Sequence, residues 1–269
     1  MLAALSKSNY KCLAWETEKV NGPFFCPVCQ GQVVLKKGKI KEHHYAHRDN
    51  SGCMYGTNET QIHYKCKREI YQALLSHKKC LQCEMEKQID KVRPDIFAII
   101  NHKKVAIEVQ KTDIDIDKIY QKTIYYNKKN INVLWLTPYE KPNLLWREKE
   151  GTWVYKIKEW EKYIHSMYYG RIYYWRGGLL VCPYHFDKFD IYREEREWYD
   201  YSGELHFAGG DIKTAISLKV PMPYINNIHI IENFSSYRRN KEFNTNNWSI
   251  PKCAIWKDSL SSWWKNKLE

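Results

Sequence analysis

The amino-acid sequence predicts an α/β protein, and three observations along the chain support that fold class. Residues 1–57 carry a cluster of cysteines and histidines, and residues 58–138 contain apolar runs of helix and strand length. Residues 139–269 are dense in tryptophan and tyrosine. We therefore expect an N-terminal Cys/His module, a central α/β core and a mixed α+β C-terminal extension, with a break near Pro138 and Pro142.

The central segment predicts the order helix, three strands, helix, strand. Thr57 or Asn58 is expected to cap a first helix over residues 59–77, and a second helix is expected over residues 113–128. The four strands are expected in short apolar or alternating runs: CEMEKQI at 83–89, PDIFAII at 94–100, KKVAIEVQ at 103–110 and INVLWLT at 131–137.

The overall charge favours a polyanionic partner. The chain has 43 Lys and Arg against 31 Asp and Glu, a formal net charge of +12, and nucleic acid is the commonest partner of such a surface. A generally basic composition from an AT-rich genome is the alternative. The N-terminus lacks an apolar signal core, and no apolar run approaches the ~20 residues of a membrane helix. We therefore expect a soluble, cytoplasmic protein without a membrane partner, in which the nine cysteines form no disulfide framework.

Two acidic residues lie on neighbouring predicted strands. If Asn101–His102 forms a two-residue turn, Asp95 lies directly opposite Glu108, with Cβ atoms roughly 4.5–5.5 Å apart. Two carboxylates at that distance repel unless a cation lies between them, and oxygen ligands suit Mg²⁺ or Mn²⁺. Gln110 lies two residues beyond Glu108 and should share its face. The alternative is an acidic pair on a solvated face.

The first predicted helix adds polar groups to the same region. Glu59, His63 and Lys67 are spaced i, i+4, i+8 and lie along one side of the helix, within or beside its apolar stripe. Polar groups that face a core are costly without partners, and a nearby metal site would supply them. The alternative is a glutamate near the helix cap with a hydrogen-bonded histidine.

A candidate zinc site lies in the N-terminal module. The knuckle CPVC at residues 26–29 precedes a predicted hairpin that turns at Lys37–Gly38. Thiolates and imidazoles together suit tetrahedral Zn²⁺. Cysteines that pack near solvated histidines are the alternative, and Cys53 could replace one histidine. The hairpin delivers His43, His44 and His47.

Several stretches together resemble a known family. A helix that bears Glu, then a strand with Asp, then Glu-x-Gln, and then a helix and a strand resemble the PD-(D/E)XK nuclease superfamily. More specifically, the chain resembles the competence protein CoiA-like family. The matching stretches cover about residues 1–137 and are FFCPVCQG, HYAH, ETQIHYKCK, RPDIFA, IEVQKT and QKTIYY…VLWLT.

This resemblance implies a role for each candidate residue. Asp95 and Glu108 would bind the divalent metal, with Glu59 binding it directly or through water, and His63 would orient water or phosphate. Gln110 holds the place of the superfamily lysine, and an amide cannot supply that positive charge. Lys67 is favoured to supply it, with Lys122 as the alternative. The resemblance also implies a zinc-ribbon-like module over residues 1–57, with the ligands Cys26, Cys29, His44 and His47. The candidate nucleic-acid contacts are Lys111, Lys122 and Tyr126.

The aromatic C-terminal half has two interpretations. Aromatic residues interleaved with Lys and Arg can stack unpaired bases, which would suit single-stranded nucleic acid. Large aromatics can equally build a core that has few aliphatic residues, and this is favoured for most of them. The best candidates for exposed side chains are Trp263, Trp264, Lys265 and Lys267.

The resulting hypothesis is a metal-dependent nuclease that hydrolyses DNA. The resemblance implies a role in competence and recombination of incoming single strands, and a mobile-element or defence role is also open because fold does not fix biology. One alternative is a nucleic-acid binder that lost cleavage through Gln110. The other is an adaptor whose zinc module recruits a protein partner, such as a recombination protein. The oligomeric state is not predicted.

Overall fold

The structure is a computed structural model that describes residues 1–48, 52–56, 59–138, 144–147, 152–219 and 227–265. The helix cap predicted at Thr57 or Asn58, the break at Pro142 and the exposed Lys267 lie outside these residues. In the described part of the chain, no helix combines the length and the apolar character needed to cross a membrane.

The N-terminal module is a five-stranded antiparallel sheet with a small core of its own. Its strands are β1 (Ala3–Ser6), β2 (Lys11–Leu13), β3 (Phe24–Phe25), β4 (Gln32–Lys36) and β5 (His44–His47). Val33 pairs with His47 and Lys36 with His44, so the histidine-bearing segment is itself the return strand. The turn predicted at Lys37–Gly38 is therefore part of a longer loop.

The central core has the predicted order of helix, three strands, helix and strand. Its elements are α1 (Gln61–Leu75), β6 (Cys80–Met85), β7 (Ile96–Ile100), β8 (Lys103–Val109), α2 (Ile116–Lys128) and β9 (Asn132–Pro138). Strands β6, β7 and β8 are antiparallel neighbours, and β9 runs parallel to β8. A parallel pair needs a crossover connection, which α2 supplies here.

Local capping and backbone geometry shift the predicted bounds of three elements. The first helix begins at Gln61 because the Thr60 side chain accepts a hydrogen bond from the backbone of His63. The second helix begins after Asp113, because Asp115 caps it. The first core strand ends before Glu86, whose φ of 48° takes the chain out of the extended conformation.

The β7–β8 hairpin has the predicted register. Asn101 and His102 form its two-residue turn with φ values of 48° and 61°, the left-handed conformation that such turns require. Ile96 pairs with Ile107 as the last pair of the ladder, and Asp95 and Glu108 are the residues that directly adjoin this pair in the sequence. This hairpin therefore brings the two predicted acidic residues together.

The C-terminal half extends the same sheet. Strand β12 (Ile172–Gly177) runs parallel to β9 and pairs with β13 (Leu180–Tyr192), and β21 (Cys253–Asp258) also lies parallel to β9. The ten-stranded sheet therefore continues past residue 138. The remaining elements are β10 (Leu144–Arg147), β11 (Thr152–Tyr155), α3 (Glu159–Met167), β12 (Ile172–Gly177), β13 (Leu180–Tyr192), β14 (Arg196–Tyr199), β15 (Leu205–Ala208), β16 (Ile212–Lys219), β17 (Ile228–His229), β18 (Phe234–Arg239), β19 (Phe243–Asn244), β20 (Ser249–Ile250) and β21 (Cys253–Asp258).

The aromatic side chains described in this half divide between the core and the surface: ten are buried, five are partly buried and eight are exposed. Trp160, Trp175 and Trp256 are buried in the same hydrophobic cluster as the central strands. The exposure expected of Trp263 and Trp264 is wrong: both are partly buried, because the Arg171 guanidinium lies 5.1 Å from each ring. Lys265 is exposed as expected.

Candidate active site

Three of the predicted site residues form one cluster. Ligand atoms of Glu59, His63 and Asp95 all lie within 4.8 Å of one another. His63 Nε2 is 3.4 Å from Asp95 Oδ2, and its Nδ1 is 3.9 Å from Glu59 Oε1. Glu59 lies just before the helix cap rather than on the helix, and Asp95 lies just before β7. The cluster therefore forms where α1 begins against the end of the hairpin.

Lys67 lies at the centre of these carboxylates. Its Nζ is 2.6 Å from Glu59 Oε1, 2.7 Å from Glu86 Oε1 and 3.1 Å from Asp95 Oδ1, and its side chain is 1% exposed. The ammonium donates hydrogen bonds to Glu59 and Glu86, and its contact with Asp95 is an ion pair. The Lys67 charge is therefore enclosed by protein groups.

Glu86 was not predicted as a site residue. Alternation along the strand places Met85 inward and its neighbours outward, but the strand ends at Met85 and the left-handed backbone of Glu86 turns its side chain inward. The Glu86 carboxylate accepts hydrogen bonds from the backbone N–H groups of Leu2 and Ala3, which tie it to the N-terminal module. The sequence pattern does not indicate where such a change of backbone conformation occurs, so it could not predict that Glu86 faces the site.

The charges of the cluster stabilise one another. Burial raises the pKa of Glu59, but Lys67, the Met1 amino group at 2.9 Å and His63 together lower it to about 2. Burial also opposes ionisation of Asp95, and Lys67 and His63 nevertheless hold its pKa well below the usual range. The three carboxylates around Lys67 raise its pKa well above normal despite its burial. The carboxylates and Lys67 are thus charged at neutral pH.

Glu108 is held by the second helix. Its carboxylate is 4% exposed, lies 2.9 Å from Lys122 Nζ through each oxygen, and accepts a hydrogen bond from Tyr126 Oη at 2.5 Å. Burial raises the pKa of Glu108, and the nearby charge of Asp95 adds to that effect. Asp95 in turn accepts a hydrogen bond from the Val109 backbone at 2.8 Å. The two carboxylates are therefore neighbours, each with its own lysine.

The structure revises two predicted roles. Gln110 donates a hydrogen bond to the Thr112 carbonyl at 2.7 Å, since β8 ends at Val109 and strand alternation does not extend to its side chain. Tyr126 is fully buried, so it positions Glu108 and has no surface for nucleic acid. Lys111 follows Gln110 in the same loop and is partly exposed.

The two candidate lysines differ in their access to solvent. The side chain of Lys122 is 32% exposed, whereas that of Lys67 is 1% exposed and surrounded by carboxylates. Charge at an exposed edge can reach a phosphate, whereas an enclosed charge mainly holds its own partners. Lys122, and not Lys67, therefore offers the accessible cation beside the carboxylates.

The N-terminal module contains a second cluster of potential metal ligands. Ligand atoms of Cys26, Cys29, His47 and Cys53 lie within 4.8 Å of one another, with Cys29 Sγ 3.4 Å from His47 Nε2. Three thiols and one imidazole match a structural Zn²⁺ site. Burial raises the pKa of Cys26 to about 11, whereas the backbone of Gly31 lowers the pKa of Cys29.

His44 is not part of this cluster, so the predicted ligand set is corrected. Successive side chains alternate across a strand, and His44 and His47, three residues apart on β5, point to opposite faces. The His44 ring stacks on Tyr64 at 5.0 Å, and its Nδ1 is 2.8 Å from the Glu42 carbonyl oxygen. Cys53, the alternative ligand, takes its place.

Comparison with known families agrees with this architecture. Residues 6–56 match the model described as "Competence protein CoiA, N-terminal domain", and residues 59–174 match "Competence protein CoiA, nuclease-like domain". The class is therefore that of α/β proteins with a nuclease-like domain. The second match ends within β12, so it continues past residue 138, as the sheet does.

A curated relative gives the same family. Competence protein CoiA of Bacillus subtilis (strain 168) is 30% identical over 119 residues, which are 44% of this chain and 32% of the relative. The aligned part is thus about a third of the length of that relative. With both family models matched, the chain belongs to the competence protein CoiA-like family.

Proposed function

We propose that this chain is a divalent-metal-dependent nuclease of the PD-(D/E)XK superfamily that hydrolyses phosphodiester bonds of DNA. The observation that carries the proposal is the convergence of Glu59, His63 and Asp95, with Glu108 opposite Asp95 on the hairpin. Carboxylate oxygens are the ligands that Mg²⁺ and Mn²⁺ prefer. The family description extends the proposal to a role in competence, and we infer from the resemblance that the substrates are single-stranded or recombination-related DNA.

The residues of the site would divide the work in a definite way. Asp95, Glu108 and Glu59 would hold the metal, which when bound supplies an activated water and offsets charge on the phosphate. Lys122 keeps a positive charge beside Glu108 and would stabilise the charge that develops on the non-bridging oxygens. His63 would orient a water or phosphate through the ring nitrogen that faces Asp95.

Cleavage assays with single-stranded, duplex and branched DNA in Mg²⁺ or Mn²⁺ test this proposal. Asp95→Asn keeps the shape of the side chain and removes a metal-binding charge, so we expect at least a hundredfold loss of rate with DNA binding retained. Asp90→Asn is the matched control, because Asp90 pairs with Lys129 at the exposed surface away from the cluster. The proposal fails if no substrate gives a metal-dependent product, or if Asp95→Asn cleaves at the native rate.

A binding-only protein is the second candidate, and the position of Gln110 favours it. Gln110 stands where the superfamily has a lysine, and its side chain donates a hydrogen bond to the Thr112 carbonyl in its own loop. This position therefore supplies no positive charge to the site. A binder would show salt-dependent DNA affinity without cleavage, because phosphate contacts release counterions. A protein adaptor would instead bind DNA weakly and with little dependence on salt.

A further inference from the structure

A chain of buried and partly buried contacts joins the Cys/His cluster to Asp95. Tyr55 lies two residues after Cys53, and its hydroxyl donates a hydrogen bond to Glu86 Oε2 at 2.6 Å. The other oxygen of Glu86 accepts from Lys67 at 2.7 Å, and Lys67 reaches Asp95 at 3.1 Å. Three consecutive contacts therefore connect the segment that carries Cys53 to Asp95 of the carboxylate site.

A second path begins at the other side of the cluster. The Pro27 carbonyl, inside the knuckle between Cys26 and Cys29, accepts a hydrogen bond from Arg93 Nη2 at 3.2 Å. The Arg93 guanidinium also lies over the Tyr55 ring, 4.7 Å from its centroid. Arg93 is two residues before Asp95 in the chain. The Cys26–Cys29 knuckle and the segment that carries Cys53 therefore both contact Arg93, directly or through Tyr55, in the segment that leads to Asp95.

Glu86 affects metal binding because it shares the Lys67 ammonium with the site carboxylates. The Lys67 ammonium forms ion pairs with the carboxylates of Glu59, Glu86 and Asp95 at the same time. If Glu86 were displaced or uncharged, the ammonium would be shared by Glu59 and Asp95 alone and would compete more strongly with a metal for those oxygens. A correctly held Glu86 therefore keeps the site carboxylates available to a divalent cation.

We propose that Tyr55, Glu86 and Arg93 are positioning residues that couple the Cys/His cluster to the divalent-metal site, so that Zn²⁺ at the cluster raises the Mn²⁺ affinity of the carboxylates. This rests on the divalent site of the proposed function. Residues that hold ligands in place commonly change metal affinity by roughly ten- to a hundredfold. The contact that carries most of the coupling is the hydrogen bond from Tyr55 to Glu86.

The coupling is tested without an activity assay by titrating the full chain with Mn²⁺. The electron paramagnetic resonance signal of free Mn²⁺ measures how much of the metal is bound. Tyr55→Phe removes one hydroxyl, and we expect roughly tenfold weaker Mn²⁺ binding with an unchanged zinc content. Tyr125→Phe is the matched control, since that hydroxyl also donates to a carboxylate, Asp90, at 2.9 Å but outside the site. It should leave Mn²⁺ affinity within twofold of the native value.

A thermodynamic cycle separates coupling from general damage. Zinc removal should weaken Mn²⁺ binding in the native chain, and should weaken it much less in Tyr55→Phe, because the connection is already cut. Equal effects of zinc removal in both proteins, or native Mn²⁺ affinity in Tyr55→Phe, would overturn the coupling and leave the nuclease proposal standing. If the native chain binds no Mn²⁺, or Asp95→Asn binds it equally well, both proposals fail.

Discussion

Lys67 is the residue on which the site depends most. Its ammonium is buried among three carboxylates, and none of these four charges has full access to water. Burying a charge costs several kcal/mol unless its partners are well placed, and removing one partner leaves the others uncompensated. The identity of this residue therefore sets both the stability of the fold and the charge of the site.

Replacement of Lys67 by methionine should destabilise the protein by about 3–5 kcal/mol, because it leaves buried carboxylates without their cation. The free energy of unfolding from urea titration measures this change. Lys65→Met on the same helix is the control: that side chain is 51% exposed and lies 3.8 Å from Glu69, so its loss should cost less than about 1 kcal/mol. Equal stability of the two variants would contradict the role of Lys67.

Acid should weaken the fold through Glu59. Its pKa is lowered from 4.5 to about 2, so its carboxylate stabilises the folded state above pH 4.5 and this contribution is lost as the pH falls towards 2. Urea unfolding at a series of pH values measures the slope. Glu59→Gln should flatten the slope between pH 4.5 and 2, and an unchanged slope would show that Glu59 is not the titrating group.

At the level of single residues, strand alternation decided what the sequence could predict. It predicted the register of the β7–β8 hairpin correctly, because a two-residue turn fixes the register of the whole hairpin. The same rule argues against His44 and His47 as ligands of one metal, because residues three apart on a strand point to opposite faces. The spacing of the Cys/His motif does not show this. Glu86 escaped prediction because its inward direction depends on one left-handed backbone conformation.

The β7–β8 hairpin is the element that builds the site. Its turn holds two residues with positive φ, and every residue from Val105 to Val109 is buried, so the strand register cannot slip without exposing apolar groups. The order of elements was predictable because apolar runs and turn residues agree. The helix starts were not, since Thr60 and Asp115 compete with other plausible caps close by.

The turn of this hairpin can be improved. His102 has a φ of 61°, a conformation that costs an L residue roughly 1–2 kcal/mol. Glycine removes that strain and loses only about 0.5–1 kcal/mol of backbone entropy. His102→Gly should therefore raise the urea midpoint, by the equivalent of up to about 1 kcal/mol. His102→Ala keeps the Cβ and should bring no gain; a larger gain from alanine than from glycine would refute the strain argument.

Charge is unevenly distributed over the whole molecule. The chain carries +12, yet residues 187–213 hold eight acidic and four basic side chains. Exposed aromatics concentrate in the same segment, where Trp198 is 48% and Phe207 59% exposed. Stacking surfaces for single strands need cations beside the rings. The sequence predicted that most C-terminal aromatics form the core, whereas fewer than half of those described are buried. Composition alone could not show that many of the exposed ones lie in an acidic segment.

We therefore expect DNA to bind near Lys111 and Lys122, beside the site carboxylates, and not along this acidic segment. Lys111→Gln should weaken binding to a single-stranded oligonucleotide and lower the steepness of the salt dependence by about 0.7, the value expected for one lost phosphate contact. Trp198→Ala should leave both affinity and slope unchanged, because acidic neighbours repel phosphate. Fluorescence anisotropy from low to physiological salt measures both quantities. A loss of affinity with Trp198→Ala as large as that with Lys111→Gln would instead place the strand on the exposed aromatic residues.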